Sequence, residues 1–273
     1  DMFSDSLYKA GDAQRITLLR RLSSTSAEIL KGHTQSVNTV VFSTDGRIVV
    51  SGSDDWTVRV WDTEYNKLLT TVRDIRSDIT SVSINPAGDQ IAIAAKDGSI
   101  SILSYKDDWK LTMRQVIPEN TYPRFITYSP DGNRIYACCI DGYVHMYKSK
   151  GLELYSSFQT ANKGTTYISF DPSEQQMALA GSDNTITIRD LNGNSVLSTY
   201  SGHDDWVRSV EYSPDGKYLV STSDDKTVRI WSTLSHSFSI VTILHDWGTK
   251  ASFTPNGKMI VSSSKDGVLR FFD

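Results

Sequence analysis

The chain has 273 residues, with 28 Lys and Arg against 32 Asp and Glu. Its formal charge of −4 leaves no net basic field to draw it to nucleic acid or to an acidic membrane. Hydrophobic residues make up 38%, with six Trp, enough for a substantial core, while no apolar run approaches the roughly 18 residues that cross a bilayer. The only cysteines, Cys138 and Cys139, are neighbours. On a strand they point to opposite faces and do not pair, so a cytoplasmic or nuclear setting is expected.

Residues 1–29 read in two ways. Leu18, Leu19, Arg20 and Arg21 fit a short basic helix, with the two arginines solvated. The other reading uses the period of the chain that follows. Counting back 14 residues from His33 reaches Leu19, as the same count from His245 reaches Trp231. Arg15–Leu19 then falls where Thr57–Trp61 does, and 7–11 where 49–53 does. Ser26–Lys31 becomes the strand after it, and Phe3-Ser4 echoes Phe42-Ser43. This second reading is favoured: the opening segment is the latter part of a degenerate repeat.

Leu30–Asp62 is the unit that the rest repeats. It holds three short β-rich stretches, Val37–Phe42, Arg47–Gly52 and Thr57–Trp61, and a fourth, Lys67–Val72, leads onward. Turn signals at Thr44-Asp45-Gly46 and Asp54-Asp55 separate them, a pattern of antiparallel strands joined by tight turns. Tyr200–Ser232 copies it closely. From His33 to Ser51, Asp55 and Trp61 the steps are 18, 22 and 28 residues, and from His203 to Ser221, Asp225 and Trp231 they are the same. Weaker copies run over 79–103, 122–147, 165–190 and the chain's last third. Their turns at Pro86-Ala87-Gly88, Pro130-Asp131-Gly132, Pro214-Asp215-Gly216 and Pro255-Asn256-Gly257 recur about every 42 residues, with Pro172-Ser173-Glu174 as a degraded version. A lone sheet of this size cannot bury both faces, so several must stack.

With Gly32-His33 and Gly202-His203 as a GH marker and Trp61-Asp62 as a WD marker, the units resemble WD40 repeats. The resemblance implies an all-β propeller of four-stranded antiparallel blades forming one domain over 1–273. Residues 32–273 would supply six repeats and 1–31 a partial first blade. That gives seven blades, the first incomplete. The alternative is six blades, with Ser26–Lys31 closing against Leu269–Phe272.

His33, Ser51 and Asp55, like His203, Ser221 and Asp225, hold the residue types of a nucleophilic triad. The set recurs within one chain with a Trp as fourth member, which argues for a structural role; a nucleophile must be exposed beside a substrate pocket. In the resembled family the four form a buried hydrogen-bond chain from Trp61 or Trp231 through Ser and His to Asp. None of the five His has a second ligand at zinc spacing, and there is no Gly-rich phosphate loop. No metal, cofactor or catalytic group is therefore expected.

The resemblance also implies a docking end, reached by three positions per blade: the residues flanking the leading position of the first strand and the one before the turn Asp. They include Asn38 and Asp54, Asp78 and Lys96, Tyr122 and Arg124, then Trp206, Arg208 and Asp224, then Trp247 and Lys265. Tyr, Trp and Arg are the types enriched at interface hot spots. The alternative is that the Trp rings pack between blades. Lys96, Arg124, Arg208 and Lys265 favour an acidic or phosphorylated peptide, while Asp54, Asp78 and Asp224 oppose it. The expectation is a non-catalytic scaffold binding a protein or peptide. The second hypothesis is a structural module of a longer protein or assembly.

Overall fold

The computed structural model describes residues 15–19, 27–106, 108–117, 121–160 and 164–273. Among these every regular element is a β-strand. Val37–Phe42, Ile48–Ser53, Val58–Asp62 and Lys67–Val72 form the first sheet, in chain order and antiparallel throughout. Four more four-stranded sheets repeat this order within 79–116, 123–159, 165–201 and 207–243, and a sixth, of three strands, lies within 248–272.

The expected seven blades are corrected to six. Arg15–Leu19 and Ala27–Lys31 are strands, as the repeat period required, but they pair with each other, Arg15 opposite Lys31 and Leu19 opposite Ala27, in a separate two-stranded sheet. A blade needs a further strand beside Arg15–Leu19, and the described residues supply none. The stretches on which a seventh blade depended, 3–4 and 7–11, lie outside the described residues. Ala27–Lys31 takes Arg15–Leu19 as its partner, while Leu269–Phe272 is the edge of the sixth sheet.

The chain divides into two compact units, Asp1–Ile135 with Lys148–Glu153, and Tyr136–Tyr147 with Leu154–Asp273. The first and second sheets belong to the first unit, the fourth, fifth and sixth to the second, and the third supplies strands to both. In the first unit, Val50, Val58 and Val60 of one sheet pack with Ile79, Val82, Ile91 and Ile93 of the next. In the second unit, Ala178, Ile186 and Ile188 meet Val207, Val210, Leu219 and Trp231, and Val220 and Val228 meet Ala251 and Ile260. Inner strands are covered on both faces, which is why Ile91-Ala92-Ile93-Ala94-Ala95 is buried without alternation. Fourth strands such as Val196–Ser201 are largely exposed.

Two local features aim side chains. The Gly of each hairpin turn has φ near +70°, at Gly46, Gly88, Gly132, Gly216 and Gly257, and Glu174 takes that conformation in the degraded copy. The first strand of a sheet carries a β-bulge. Val37 opposes Ser53 and Thr39 opposes Gly52, so Asn38 has no cross-strand partner. Thr80, Thr166, Arg208 and Thr249 occupy the same place in their sheets. A bulge re-aims the extra side chain out of the pleat.

Candidate protein-contact site

The two polar chains are built alike. Trp61 Nε1 donates to Ser51 Oγ (2.9 Å), Ser51 Oγ to His33 Nε2 (2.8 Å), and His33 Nδ1 to Asp55 Oδ2 (2.9 Å). In the fifth sheet the corresponding distances, from Trp231 through Ser221 and His203 to Asp225, are 2.8, 2.7 and 2.7 Å. One neutral tautomer, with the proton on Nδ1, satisfies each link. Both Ser hydroxyls are fully buried and engaged on both sides, so neither meets the exposure a nucleophile needs. Burial pushes the Asp55 carboxyl up, but hydrogen bonds from Thr57, the Thr34 N–H and His33 outweigh it and leave it at about 2. Asp225 is held below the usual range by His203 and Thr227 against the same burial. Burial lowers His203, which is therefore neutral at pH 7.

The carboxylate of the chain has a second, local job. Asp55, Asp97, Asp141, Asp183, Asp225 and Asp266 each accept a backbone N–H two residues on, at 2.8 to 3.1 Å. In the sixth sheet only this survives. His245 is exposed, Ser262 Oγ is buried without a partner, and Asp266 pairs with Arg270 Nη2 at 2.7 Å. Phe272 stands where Trp61 and Trp231 stand in the first and fifth sheets and has no N–H to start the chain.

One backbone hydrogen bond brings the predicted contact positions together. The N–H of the residue before the turn Asp donates to the carbonyl of the residue before the first strand: Asp54 to Ser36, Lys96 to Asp78, Ser182 to Gly164, Asp224 to Trp206 and Lys265 to Trp247, at 2.9 to 3.1 Å. In the second unit this sets a patch of alternating rings and cations. Arg208 reaches from its bulge to Asp224, Nε to Oδ1 at 2.7 Å with Nη2 on the other oxygen, and Asp224 is 8% exposed. The same guanidinium lies 4.9 Å from the Trp206 ring and 6.0 Å from that of Trp247. Lys265 Nζ lies 4.1 Å from the Trp247 ring. Trp206 is half-buried and Trp247 is 40% exposed.

The first unit has a patch of different chemistry. Asn38 Nδ2 donates to Asp54 Oδ1 (2.7 Å) and to the Ile79 carbonyl (2.9 Å). Lys96 Nζ lies 2.7 Å from Asp78 and 3.9 Å from Asp54. The Lys96 ammonium and the Trp56 indole hold the Asp78 carboxyl low, and Asp78 in turn raises Lys96. Tyr122 and Arg124 are half-buried in the same unit.

Sequence reasoning passed over Trp56. Its indole donates to Asp78 Oδ1 at 2.9 Å and its backbone is left-handed, φ +66°. The signal was legible by alignment. The same turn position holds Gly98, Gly142, Asn184, Lys226 and Gly267, every one with positive φ, and Trp is the outlier. The fourth-sheet positions Thr166 and Ser182 point inward instead: Thr166 Oγ1 donates to the Val207 carbonyl and Ser182 Oγ to that of Gly164.

A cleft of about 860 Å³ between the fourth and fifth sheets is lined by Tyr200, Tyr212, His236 and Leu197, with Asp171 and Asp215. Both carboxylates are committed to their own turns. Among the described residues no group of three His, Cys, Asp or Glu is arranged to hold a metal, and no helix is long and apolar enough to cross a membrane.

The repeated sheets, the two four-membered polar chains and the GH loops agree with what comparison finds: residues 5–273 match the family described as IFT122 first beta-propeller. The chain belongs to that family. It is a WD40-repeat β-propeller protein, as the GH and WD markers implied. Among similar proteins, the nuclear distribution protein PAC1 of Arthroderma otae is 27% identical over 78% of this chain and 40% of its own length. Apoptotic protease-activating factor 1 of Danio rerio is 26% identical over 74% of this chain and 17% of its own length. The transcriptional corepressor LEUNIG_HOMOLOG of Arabidopsis thaliana is 28% identical over 71% of this chain and 24% of its own length. The chain thus spans less than half of each of these relatives.

Proposed function

We propose that this chain is a non-catalytic scaffold that binds a protein or peptide through the loop patches described above. The observation that carries the reading is the Trp206–Arg208–Trp247–Lys265 array. Large aromatic rings stand at the surface on positions fixed by the bulge and the repeated loop hydrogen bond, not folded into the core. Such pre-organised aromatic and Arg side chains are the usual energetic centre of an interface. Tyr122, Arg124, Asn38, Asp54 and Lys96 form the corresponding candidate in the first unit. The reading includes one propeller domain over 1–273, supported by a repeat period that runs through both compact units. It places the protein in cytoplasm or nucleus, within a multiprotein complex, in keeping with relatives named as nuclear distribution proteins and a transcriptional corepressor.

A second reading is a structural module of a longer protein, favoured by the 17 to 40% of their length that the chain spans in PAC1 and apoptotic protease-activating factor 1. The test is capture of partners by tagged wild-type chain and by Trp247→Ala/Lys265→Ala, identified by mass spectrometry. This variant leaves the Arg208–Asp224 pair intact. Scaffold binding through the patch predicts loss of the specific partners with an unchanged melting temperature, and full retention refutes the site.

A further inference from the structure

Trp56 is a large apolar side chain in a conformation that large side chains avoid. In a left-handed turn Cβ crowds the backbone, and glycine or asparagine is the ordinary solution; four of the five other turns use one of these. Core packing does not compensate here, because Trp56 is 52% exposed. Its ring is nonetheless held in place, since the indole N–H is fixed on Asp78 at 2.9 Å. Strain kept without burial points to use of the exposed face.

The charges around the ring say what that face takes. In the second unit the Trp rings already carry their own cations, Arg208 and Lys265. Among the described residues no Lys or Arg of this chain stacks on Trp56. The nearby Lys96 is drawn to Asp78 at 2.7 Å, with Asp54 at 3.9 Å. Two carboxylates, each more than a quarter exposed, thus share one ammonium. The adjoining loop carries Arg73, Asp74 and Arg76, all exposed, and among the described residues no ion pair joins either arginine to Asp54 or Asp78. The face of the indole is electron-rich and attracts a cation, and the two carboxylates beside it have one ammonium in contact between them.

We infer that Trp56, with Asp78 and Asp54, forms a seat for a basic side chain, arginine or lysine, of a bound protein segment. The inference rests on the scaffold reading above and adds the partner's chemistry at one place. The guest's cation lies on the indole face and its N–H groups reach the free carboxylate lone pairs. Lys96 orients Asp78 from the other side.

The test uses the whole ¹⁵N-labelled chain and three blocked pentapeptides, Gly-Ser-X-Ser-Gly, with X as arginine, citrulline or glutamate. The indole N–H resonance of Trp56 is assigned by its absence in Trp56→Gly. The arginine peptide is expected to shift that resonance and the Lys96 amide saturably, and to bind more tightly than the uncharged citrulline peptide by roughly fivefold or more. The glutamate peptide is expected to leave it in place. Trp56→Gly, which restores the residue of three other turns, is expected to melt no lower than wild type and to abolish the response of the Lys96 amide. Equal responses to arginine and citrulline, no response to arginine, or a response to glutamate overturns the proposal. So does a drop of several degrees in the melting temperature of Trp56→Gly, which makes the ring a structural group. The scaffold reading is tested separately, by Trp247→Ala/Lys265→Ala in the other unit, so either can fail alone.

Discussion

Ser221 and Ser262 occupy equivalent places in neighbouring sheets, yet replacing each by Ala has opposite consequences. Ser221 Oγ accepts from Trp231 Nε1 at 2.8 Å and donates to His203 Nε2 at 2.7 Å. Removing it loses two buried hydrogen bonds and leaves an indole donor and an imidazole acceptor with nothing to meet. A buried hydrogen bond contributes about 1 kcal/mol net, and a stranded partner costs about 1 to 3 kcal/mol, so Ser221→Ala is expected to lose roughly 3 kcal/mol. For a chain of this size that lowers the melting temperature by roughly 6 to 12 °C. Ser262 Oγ is equally buried but has no partner. Its removal strands nothing and discards an unsatisfied group, so Ser262→Ala is expected to be neutral or slightly stabilising. Thermal melts followed by circular dichroism compare the two directly. Equal shifts, or an unchanged melting temperature for Ser221→Ala, refute the role given to the polar chain.

Acid weakens the fold in two stages. The His203 imidazole titrates below its ordinary 6.5 in the fold, so the unfolded chain takes up its proton first and stability begins to fall as pH drops through 6.5. Asp55, at about 2 in the fold against 3.8 ordinarily, adds a second loss between those values, and Asp225 shifts in the same direction. Melting temperatures across a pH series check this, and stability that rises from pH 6.5 to 5 contradicts it. Arg208→Ala leaves the Asp224 carboxylate buried without its cation and is expected to cost roughly 2 to 3 kcal/mol. Asp224→Asn in the same chain recovers part of that loss, as read from urea midpoints.

Much of the fold was legible because the repeat carries its own ruler. The steps from His to Ser, Asp and Trp select residues that are in fact hydrogen-bonded to one another in the first and fifth sheets. Counting back from His33 found the strand Arg15–Leu19 in a segment with no other mark. Blade number was not legible, since one pair of strands is compatible with either count. Nor was the sixth sheet's failure to form a polar chain. His245, Ser262 and Asp266 are all present, but Phe272 has no indole N–H to offer Ser262 and His245 stays exposed.

At the candidate site, spacing selects positions and not pairings. It brought Arg208 and Asp224 to neighbouring loops without revealing that they neutralise each other, so the basic cluster expected from Lys96, Arg124, Arg208 and Lys265 is partly spent on Asp78 and Asp224. Trp56 was missed because its position was read as turn, where side-chain identity looks incidental.

Buried polar chains hold the fold and loop patches take the partner, and one paired measurement tests that division of labour. Melting temperature and partner capture are recorded together for Ser221→Ala and for Trp247→Ala/Lys265→Ala, with capture at a temperature where both are folded. The first variant is expected to melt lower and still capture, while the second melts as wild type and captures nothing specific. Loss of capture tracking loss of stability in both variants contradicts it.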